Sequence, residues 1–324
     1  MSIYTILQDP KFKQDVLDQL GRKEFQVRYG YGPKDIDQLL KNLSESNEIA
    51  SGITSPANGM ESIVRSVGRP VIKIIHNTFM PPISSEWSKK LTDNRKNIED
   101  AILAVGRIEV RDLPGMDWLG TGWMVKENIV ITNRHVALEF AKGSGSEFVF
   151  RKNYRNVQIQ ARIDFREEYG LPDQLEFNIE KVLYIEEDDD TKPDIAFLQV
   201  SSNSNPNSTL PRPINLSEES LLTTRDVVVI GYPSRDSRVG DLDEMDRLFE
   251  SIYDVKRLSP GQAFPSDKDW IINHDCTTLG GNSGSVILDI ETGKALGIHS
   301  GGHYMDKNYG VSSKKIIEIL NSIS

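Results

Sequence analysis

The feature that most constrains the fold is a series of short β-branched runs that starts near residue 95 and continues almost to the C-terminus. Gly, Asn, Asp and Pro separate the runs, and these residues form turns between strands. The clearest runs are GRIEV, NIVITN, DIAFLQV, DVVVIGYP and SGSVILD. Many short strands without long helices between them are typical of antiparallel barrels and sandwiches. We therefore predict an all-β domain over residues 96–324.

The first 95 residues follow a different pattern. The segments KDIDQLLKNLSES and SSEWSKKLTDNRKNIEDAILAV carry apolar residues at helical spacing. Between them, RPVIKIIHNTF is apolar enough to be buried, and we expect its His76 to be structural rather than catalytic. These segments predict a mainly helical or mixed N-terminal extension, residues 1–95, docked on the all-β domain.

Two further helices are predicted within residues 96–324. The stretch DEMDRLFESIYDVKRL has helical spacing inside the strand-rich region and predicts an inserted surface helix. A lid formed by residues 245–253 is the alternative for that insertion. The final segment SSKKIIEILNSIS predicts a short amphipathic C-terminal helix.

Composition excludes several classes of partner. The net charge of −10 argues against nucleic acid, because phosphate backbones need a basic surface. The N-terminus lacks the pattern of a secretory signal, and no apolar run of about 18 residues occurs, so we predict a cytoplasmic protein without a membrane partner. The single cysteine, Cys276, excludes an intrachain disulfide, and we expect it to be a small strand residue rather than a reactive thiol.

Three residues next to apolar strands could together perform nucleophilic catalysis. His135 follows the run NIVITN, Asp194 opens DIAFLQV, and Ser283 lies in the glycine-rich segment TTLGGNSGSVILD. A serine hydroxyl needs a neighbouring base, and the base needs a group that orients it and stabilises its charged form. Taken alone, His135 is more typical of a surface or core histidine, and Asp194 of a turn residue. The glycine-rich segment around Ser283 is, by itself, typical of a tight turn. Their occurrence together, each beside the same kind of strand, favours a catalytic site.

The motifs TNRHVA, DIAFLQV and GGNSGSVIL resemble those of the chymotrypsin/trypsin-like serine peptidases. The resemblance spans residues 98–320 and is closest to the bacterial trypsin-like peptidases related to glutamyl endopeptidases and the HtrA type. It implies a double β-barrel, with barrel one at about 98–212 and barrel two at about 213–310. It also implies a catalytic triad of His135, Asp194 and Ser283, and an oxyanion hole formed by the N–H groups of Gly281 and Ser283. The activity expected is endopeptidase hydrolysis of a protein or peptide substrate.

The resemblance also assigns residues to substrate binding. The position of the aspartate that gives trypsin its basic specificity is Thr277 here, so a basic P1 preference is unsupported. Thr278 and His299 match positions of the glutamyl endopeptidases, and both side chains can donate to a carboxylate, which predicts an acidic P1 preference. A peptidase of other specificity, with His299 as a barrel residue, is the alternative. Ser300 and Gly301 complete the expected substrate strand GIHSGG, with Ser300 at the position that supports the catalytic aspartate.

No cofactor or metal is expected, because His299 and His303 lack further ligands at metal-binding spacing. The residue before Ser283 is Asn282, which has no charge to pair with a new N-terminus as the trypsin-type zymogens do. We therefore predict that a partner or the N-terminal region controls activity. The N-terminal region could support the barrel, inhibit the peptidase or sense a partner. The alternative function is a catalytically silent binding or regulatory protein on a peptidase scaffold.

Overall fold

A computed structural model describes residues 9–20, 22, 67–189, 191–237, 242–302 and 307–323. The predicted helical segment KDIDQLLKNLSES and His303 lie outside the described residues.

The described N-terminal residues combine helices with one small hairpin. The elements are α1 (Pro10–Leu20), β1 (Ile72–Ile75), β2 (Thr78–Phe79), α2 (Ser85–Asp93) and α3 (Arg95–Ile102). Ser84 caps the start of α2, where its side chain accepts a hydrogen bond from the N–H of Trp87. His76 lies exposed in the turn of the hairpin, away from the residues predicted to be catalytic.

A closed barrel of six strands follows the helices. Along the chain, its region contains β3 (Val105–Arg111), β4 (Trp118–Lys126), β5 (Ile129–Thr132), α4 (Arg134–Phe140), β6 (Ala141–Ser144), β7 (Glu147–Phe150), β8 (Gln160–Asp164), β9 (Glu176–Ile185) and β10 (Ala196–Val200). The barrel order is β10-β5-β4-β3-β8-β9, and β6 and β7 form a separate hairpin. All its neighbouring strands are antiparallel.

A second barrel forms from the rest of the chain. Its region contains β11 (Arg225–Gly231), α5 (Leu242–Leu248), β12 (Arg257–Phe264), β13 (Ile271–His274), β14 (Val286–Asp289), β15 (Ala295–Gly302), β16 (Asn308–Ser312) and α6 (Ser313–Ser322). The sheet runs β11-β14-β15-β16-β13-β12 and closes because β11 also pairs with β12. The chymotrypsin-like double barrel predicted from the sequence is confirmed, including the short C-terminal helix.

The N-terminal hairpin is part of the second sheet. Strand β1 pairs with β12, so that Ile72 lies opposite Leu258 and Lys73 opposite Arg257. The inserted helix α5 is also present, and its Met245 is buried against Val71 next to β1. The N-terminal residues and the insertion therefore pack on the same side of the second barrel.

The β-branched runs supply a core that is continuous between the barrels. Side chains of β5, β10, β11 and β14 are fully buried within one large apolar cluster, for example Ile131, Phe197, Val228 and Val286. Trp87 of α2 belongs to the same cluster, so the N-terminal helices share the core of the barrels. No helix within the described ranges is both long and apolar enough to span a membrane.

Replacing Trp87 by Ala tests this shared core. Trp87 has no exposed surface and its Nε1–H donates to the carbonyl oxygen of Gly68 at 2.8 Å. Loss of the ring would leave a large cavity, and we expect the free energy of unfolding to fall by about 3–5 kcal/mol, measured by urea denaturation. Met80→Ala is the control, because Met80 is 79% exposed and its truncation should change stability by less than about 0.5 kcal/mol. A loss at Trp87 below about 1 kcal/mol would contradict a shared core.

Candidate active site

Pairing of β5 with β10 brings His135 and Asp194 together. Thr132, the last residue of β5, lies opposite Ala196, the first residue of β10. His135 follows β5 in the first turn of α4, and Asp194 precedes β10. Both residues therefore project from the same end of neighbouring strands, although they are far apart in the sequence.

The Asp194 carboxylate binds His135 through both of its oxygens. Oδ1 accepts the backbone N–H of His135 at 3.1 Å, and Oδ2 lies 2.7 Å from the ring nitrogen Nδ1. A carboxylate at neutral pH can only accept hydrogen bonds, so Nδ1 carries the proton. The other ring nitrogen, Nε2, is left with its lone pair, and the His135 side chain is 51% exposed. The ring is thus oriented with a free proton acceptor on the open side.

Asn133 holds this pair to the second barrel. Its Nδ2 group donates to the carbonyl oxygen of Asp194 at 2.9 Å and to Oγ of Ser300 at 3.3 Å. The family resemblance implies that Ser300 supports the aspartate. In the structure Ser300 contacts Asn133, and Asn133 fixes the backbone of Asp194.

Thr121 of β4 fixes the loop that carries Ser283. Its N–H donates to the carbonyl oxygen of Ser283 at 2.8 Å, and its Oγ1 donates to the carbonyl oxygen of Gly281 at 2.9 Å. Thr132 in turn donates to the Thr121 carbonyl at 2.7 Å. Thr132 also ends the strand before His135, so one buried network connects the serine loop of the second barrel to the strand that leads into His135.

Two glycines in this loop adopt conformations that other residues rarely take. Gly281 has φ of +82° and Gly284 has φ of +91°. A Cβ on Gly284 would lie 1.9 Å from the Thr121 carbonyl oxygen, and one on Gly281 would lie 2.5 Å from Cη2 of Trp118. The segment GGNSG therefore fits against the first barrel only because these positions have no side chain.

The loop leaves two backbone donors free. Among the hydrogen bonds of the described residues, none uses the N–H of Gly281 or of Ser283. The carbonyl oxygen of Gly280, by contrast, accepts the N–H of Ser234 at 2.7 Å. The described residues also form no hydrogen bond between Ser283 Oγ and His135. Catalytic hydrogen bonds of this kind often close only when a substrate is bound.

A second histidine pair lies in the wall of the second barrel. His274, at the end of β13, places its Nε2 2.9 Å from Nδ1 of His299 in β15. Burial lowers the pKa of His274 to about 3. Burial and then His274 itself lower the pKa of His299 well below its usual value, with a further contribution from His135. Both imidazoles are therefore neutral at pH 7.

The other residues assigned to substrate binding lie after β13 and within β15. Thr278 is half-buried between Thr277 and Leu279, and its hydroxyl has no hydrogen bond within the described ranges. Thr277 donates its hydroxyl hydrogen to the carbonyl oxygen of Arg69 at 2.9 Å. Gly301 follows Ser300 in β15, and a Cβ there would lie 3.1 Å from the Tyr309 hydroxyl oxygen.

One carboxylate cluster in the described part of the chain has the spacing of a metal site. It consists of Glu109, Asp164 and Glu167, whose oxygens lie within 4.8 Å of one another. Arg107 binds Glu109 at 2.6 Å and Glu167 at 3.0 Å, and Arg162 binds Glu109 at 2.6 Å. Guanidinium groups already pair with Glu109 and Glu167, and Asp164 accepts the backbone N–H groups of Arg166 and Leu175. The cluster is therefore held by ion pairs and hydrogen bonds of the protein itself.

Sequence reasoning missed three residues of this site. His274 is one of only five histidines in the chain, but its spacing from His299 reveals nothing until β13 and β15 are placed in one barrel. Thr121 and Asn133 stand within GTGWMV and TNRHV, where small polar residues also occur in ordinary strands and turns. Their roles depend on hydrogen bonds between the barrels, which no local pattern encodes.

The buried histidine pair predicts a pH-dependent loss of stability. The unfolded chain binds a proton at His274 below about pH 6.5, whereas the folded chain does not until about pH 3, so the free energy of unfolding falls as pH decreases through this range. Between pH 7 and pH 5 we expect the wild type to lose about 1–2 kcal/mol more than His274→Gln, measured by urea denaturation at both values. Equal losses in the two proteins would contradict a buried neutral His274.

Comparison with known proteins places these features in a family. The model of the trypsin-like peptidase domain matches residues 120–298, which is more than half of the chain. A probable serine protease of Lysobacter enzymogenes is 28% identical over 279 residues, covering 78% of this chain and 72% of the relative. Among solved structures, a Glu endopeptidase in complex with MPD is 16% identical, covers 68% of this chain and 90% of its own, and has a TM-score of 0.46. An active-form protease of Mycobacterium tuberculosis is 18% identical, with 72% and 86% covered and a TM-score of 0.44. The chain belongs to the trypsin-like peptidase family and is a serine endopeptidase.

Proposed function

We propose that the chain cleaves peptide bonds through an acyl-enzyme at Ser283, with His135 and Asp194 completing the triad. The observation that carries this proposal is the 2.7 Å contact between Asp194 Oδ2 and His135 Nδ1, which leaves Nε2 as a base. Thr121 holds the loop with Ser283 on β4, and β4 pairs with β5, the strand that precedes His135. These contacts support a nucleophile, a base and an orienting carboxylate in their usual roles.

The proposed reaction has two steps. Ser283 Oγ attacks the scissile carbonyl carbon while His135 Nε2 takes the hydroxyl proton, and the same proton then passes to the leaving amine. The carbonyl oxygen becomes an oxyanion that the free N–H groups of Gly281 and Ser283 can stabilise. In the second step His135 removes a proton from water as the water oxygen attacks the acyl carbon. The ester bond to Ser283 Oγ then breaks, the proton passes from His135 to Oγ, and the acid product leaves.

The proposed function is favoured over a catalytically silent binding protein by the backbone of the serine loop. A binding scaffold has no need to leave the N–H groups of Gly281 and Ser283, two residues apart in one turn, both without a protein acceptor. Here the donors of Gly281 and Ser283 are both free within the described contacts. An oxyanion of the substrate supplies the missing acceptor, which is a requirement of catalysis and not of binding alone.

We further propose that the peptidase prefers an acidic P1 residue. Among the described residues no group hydrogen-bonds the buried Nδ1 of His274, and an unpaired buried acceptor is more readily tolerated than an unpaired N–H. His274 therefore donates from Nε2 to Nδ1 of His299, and the neutral His299 ring must carry its own proton on Nε2. Together with the free hydroxyl of Thr278, this provides two donors for a carboxylate without placing a fixed positive charge in the pocket.

We propose that residues 1–95 stabilise the peptidase domain, residues 96–324, and through this packing affect its activity. Support comes from β1, which adds to the second barrel at β12, and from Trp87, which is buried in the shared core. An extension packed in this way acts first as a support. A separate regulatory partner, a cytoplasmic location and a bacterial source remain predictions from the sequence alone.

Cleavage of a mixed peptide library by the wild type and by Ser283→Ala tests the proposed function. We expect the wild type to produce cuts that Ser283→Ala does not, because the alanine removes only the attacking oxygen. Products are identified by mass spectrometry, which also gives the P1 residue of each cut. Cuts that persist in Ser283→Ala would exclude Ser283 as the nucleophile. A folded wild type that neither cleaves the library nor reacts with a fluorophosphonate would support the silent binding protein.

Two variants of the pocket test the acidic preference. Matched peptides with Glu or Gln at P1 are assayed with the wild type, Thr278→Val and His299→Ala. We expect each variant to lose about 10-fold or more in kcat/KM on the Glu peptide and less than about threefold on the Gln peptide, because one donor to the carboxylate is removed. Equal losses on both peptides would assign these residues to pocket shape rather than to recognition of the carboxylate.

A further inference from the structure

A buried ion pair joins the N-terminal region to the segment that leads into the serine loop. Nε of Arg69 donates to Asp275 Oδ1 at 2.7 Å, and Nη2 donates to Oδ2 at 2.7 Å. Both side chains are almost completely buried. This two-point geometry fixes the direction as well as the distance between the two groups.

Asp275 is the first residue after β13 and starts the segment 275–285 that ends at β14. Its Oδ1 also accepts the N–H of Gln262 at 2.7 Å, so the carboxylate is held from two sides. Thr277 adds a second bond to the same N-terminal residue, because its hydroxyl donates to the Arg69 carbonyl oxygen at 2.9 Å. The backbone on either side of Cys276 is therefore tied to Arg69.

An apolar contact extends this connection toward the serine. Val71 is buried with Met245 and Phe249 of the insertion, and Leu279 of the serine loop packs against the same cluster. The carbonyl oxygen of Leu279 accepts the N–H of Asn282 at 3.2 Å. The N-terminal region thus contacts the loop at Asp275, Thr277 and Leu279, while Thr121 of the first barrel holds its other end.

We propose that Arg69 is a positioning residue for catalysis, which holds the segment 275–281 so that Thr278 faces the substrate and the N–H of Gly281 stays in the oxyanion hole. This proposal rests on the proposed function of the same site. Asn282 cannot form the activation ion pair of trypsin-type enzymes, and the charged contact of Arg69 with Asp275 takes its place. The N-terminal region is on this view required for activity and is not an inhibitory segment.

The charge of the pair is stable in the folded protein. Burial alone would lower the pKa of the Arg69 guanidinium, but the Asp275 carboxylate outweighs this effect and the pKa lies above its usual value. Removal of the guanidinium would leave Asp275 buried and charged, which is strongly unfavourable. The segment would then relieve this charge by moving toward water, and the displacement would reach Thr278 and Gly281.

The test compares Arg69→Met and Arg69→Lys with a matched control. Lys73→Met is the control, because Lys73 of β1 binds Glu250 at 2.7 Å and is a second ion pair between the N-terminal region and the residues after α5. Among the ion pairs and hydrogen bonds of the described residues, Lys73 has none with the segment 275–281. Thr277→Val is added as a milder variant that removes only the hydroxyl bond to Arg69. All are measured in the full-length chain, for kcat and KM separately and for hydrogen–deuterium exchange of the amides of residues 276–283.

We expect Arg69→Met to lower kcat/KM by about 10- to 100-fold, with kcat itself reduced because a displaced oxyanion hole acts only in the transition state. Arg69→Lys should retain part of the activity, since it keeps the charge and loses the two-point geometry. Amide exchange over residues 276–283 should be faster in Arg69→Met and unchanged in Lys73→Met. If Arg69→Met does not fold, Arg69→Lys and Thr277→Val replace it. Both should then show a lower kcat and faster amide exchange over residues 276–283 than the wild type.

The proposal would be overturned if the folded Arg69 variants had the same kcat/KM as the wild type and the same rates of amide exchange over residues 276–283. A merely structural pair would lower the unfolding temperature while leaving kcat, measured well below that temperature, at the wild-type value. If the wild type itself shows no Ser283-dependent cleavage, the proposed function fails, and the exchange data alone then decide whether Arg69 orders the segment.

Discussion

The hydrogen bonds of Thr121 are the interaction on which the rest of the site depends. Through its N–H and hydroxyl, this residue of the first barrel binds the carbonyl oxygens of Ser283 and Gly281 in the second. The histidine and its carboxylate belong to the first barrel, so the proposed catalysis requires the two barrels to keep a fixed relative position. Gly284 allows this close approach, because any side chain there would collide with the Thr121 carbonyl. The clustering of glycines around Ser283 is thus a consequence of contact between the barrels.

Much of this could be predicted from the sequence because strands and turns have local patterns. Runs such as DIAFLQV and SVILD predict the barrels, and the positions of His135 and Asp194 beside strands are visible along the chain. The His274–His299 contact and the bonds of Thr121 could not be predicted, since both join segments far apart in the sequence. The pairing of the N-terminal hairpin with β12 also could not be predicted, because RPVIKIIHNTF indicates burial but does not identify a partner strand.

Buried polar groups of other segments fix the position of the segment 275–285, whose own side chains are mostly small. The segment 275–285 has few large side chains to pack, so its position depends on hydrogen bonds and charges from outside. Arg69 supplies these at one end and Thr121 at the other. This arrangement explains why the N-terminal residues are built into the second barrel.

The central claim is that Ser283 is the nucleophile activated by His135. The most direct measurement is the rate and position of fluorophosphonate labelling on the intact chain, with the adduct mapped by mass spectrometry. We predict a single adduct on the peptide that contains Ser283, and a rate at least about 100-fold lower in His135→Ala, because the base no longer removes the hydroxyl proton. An adduct on another residue, or a rate unchanged by His135→Ala, would contradict the account.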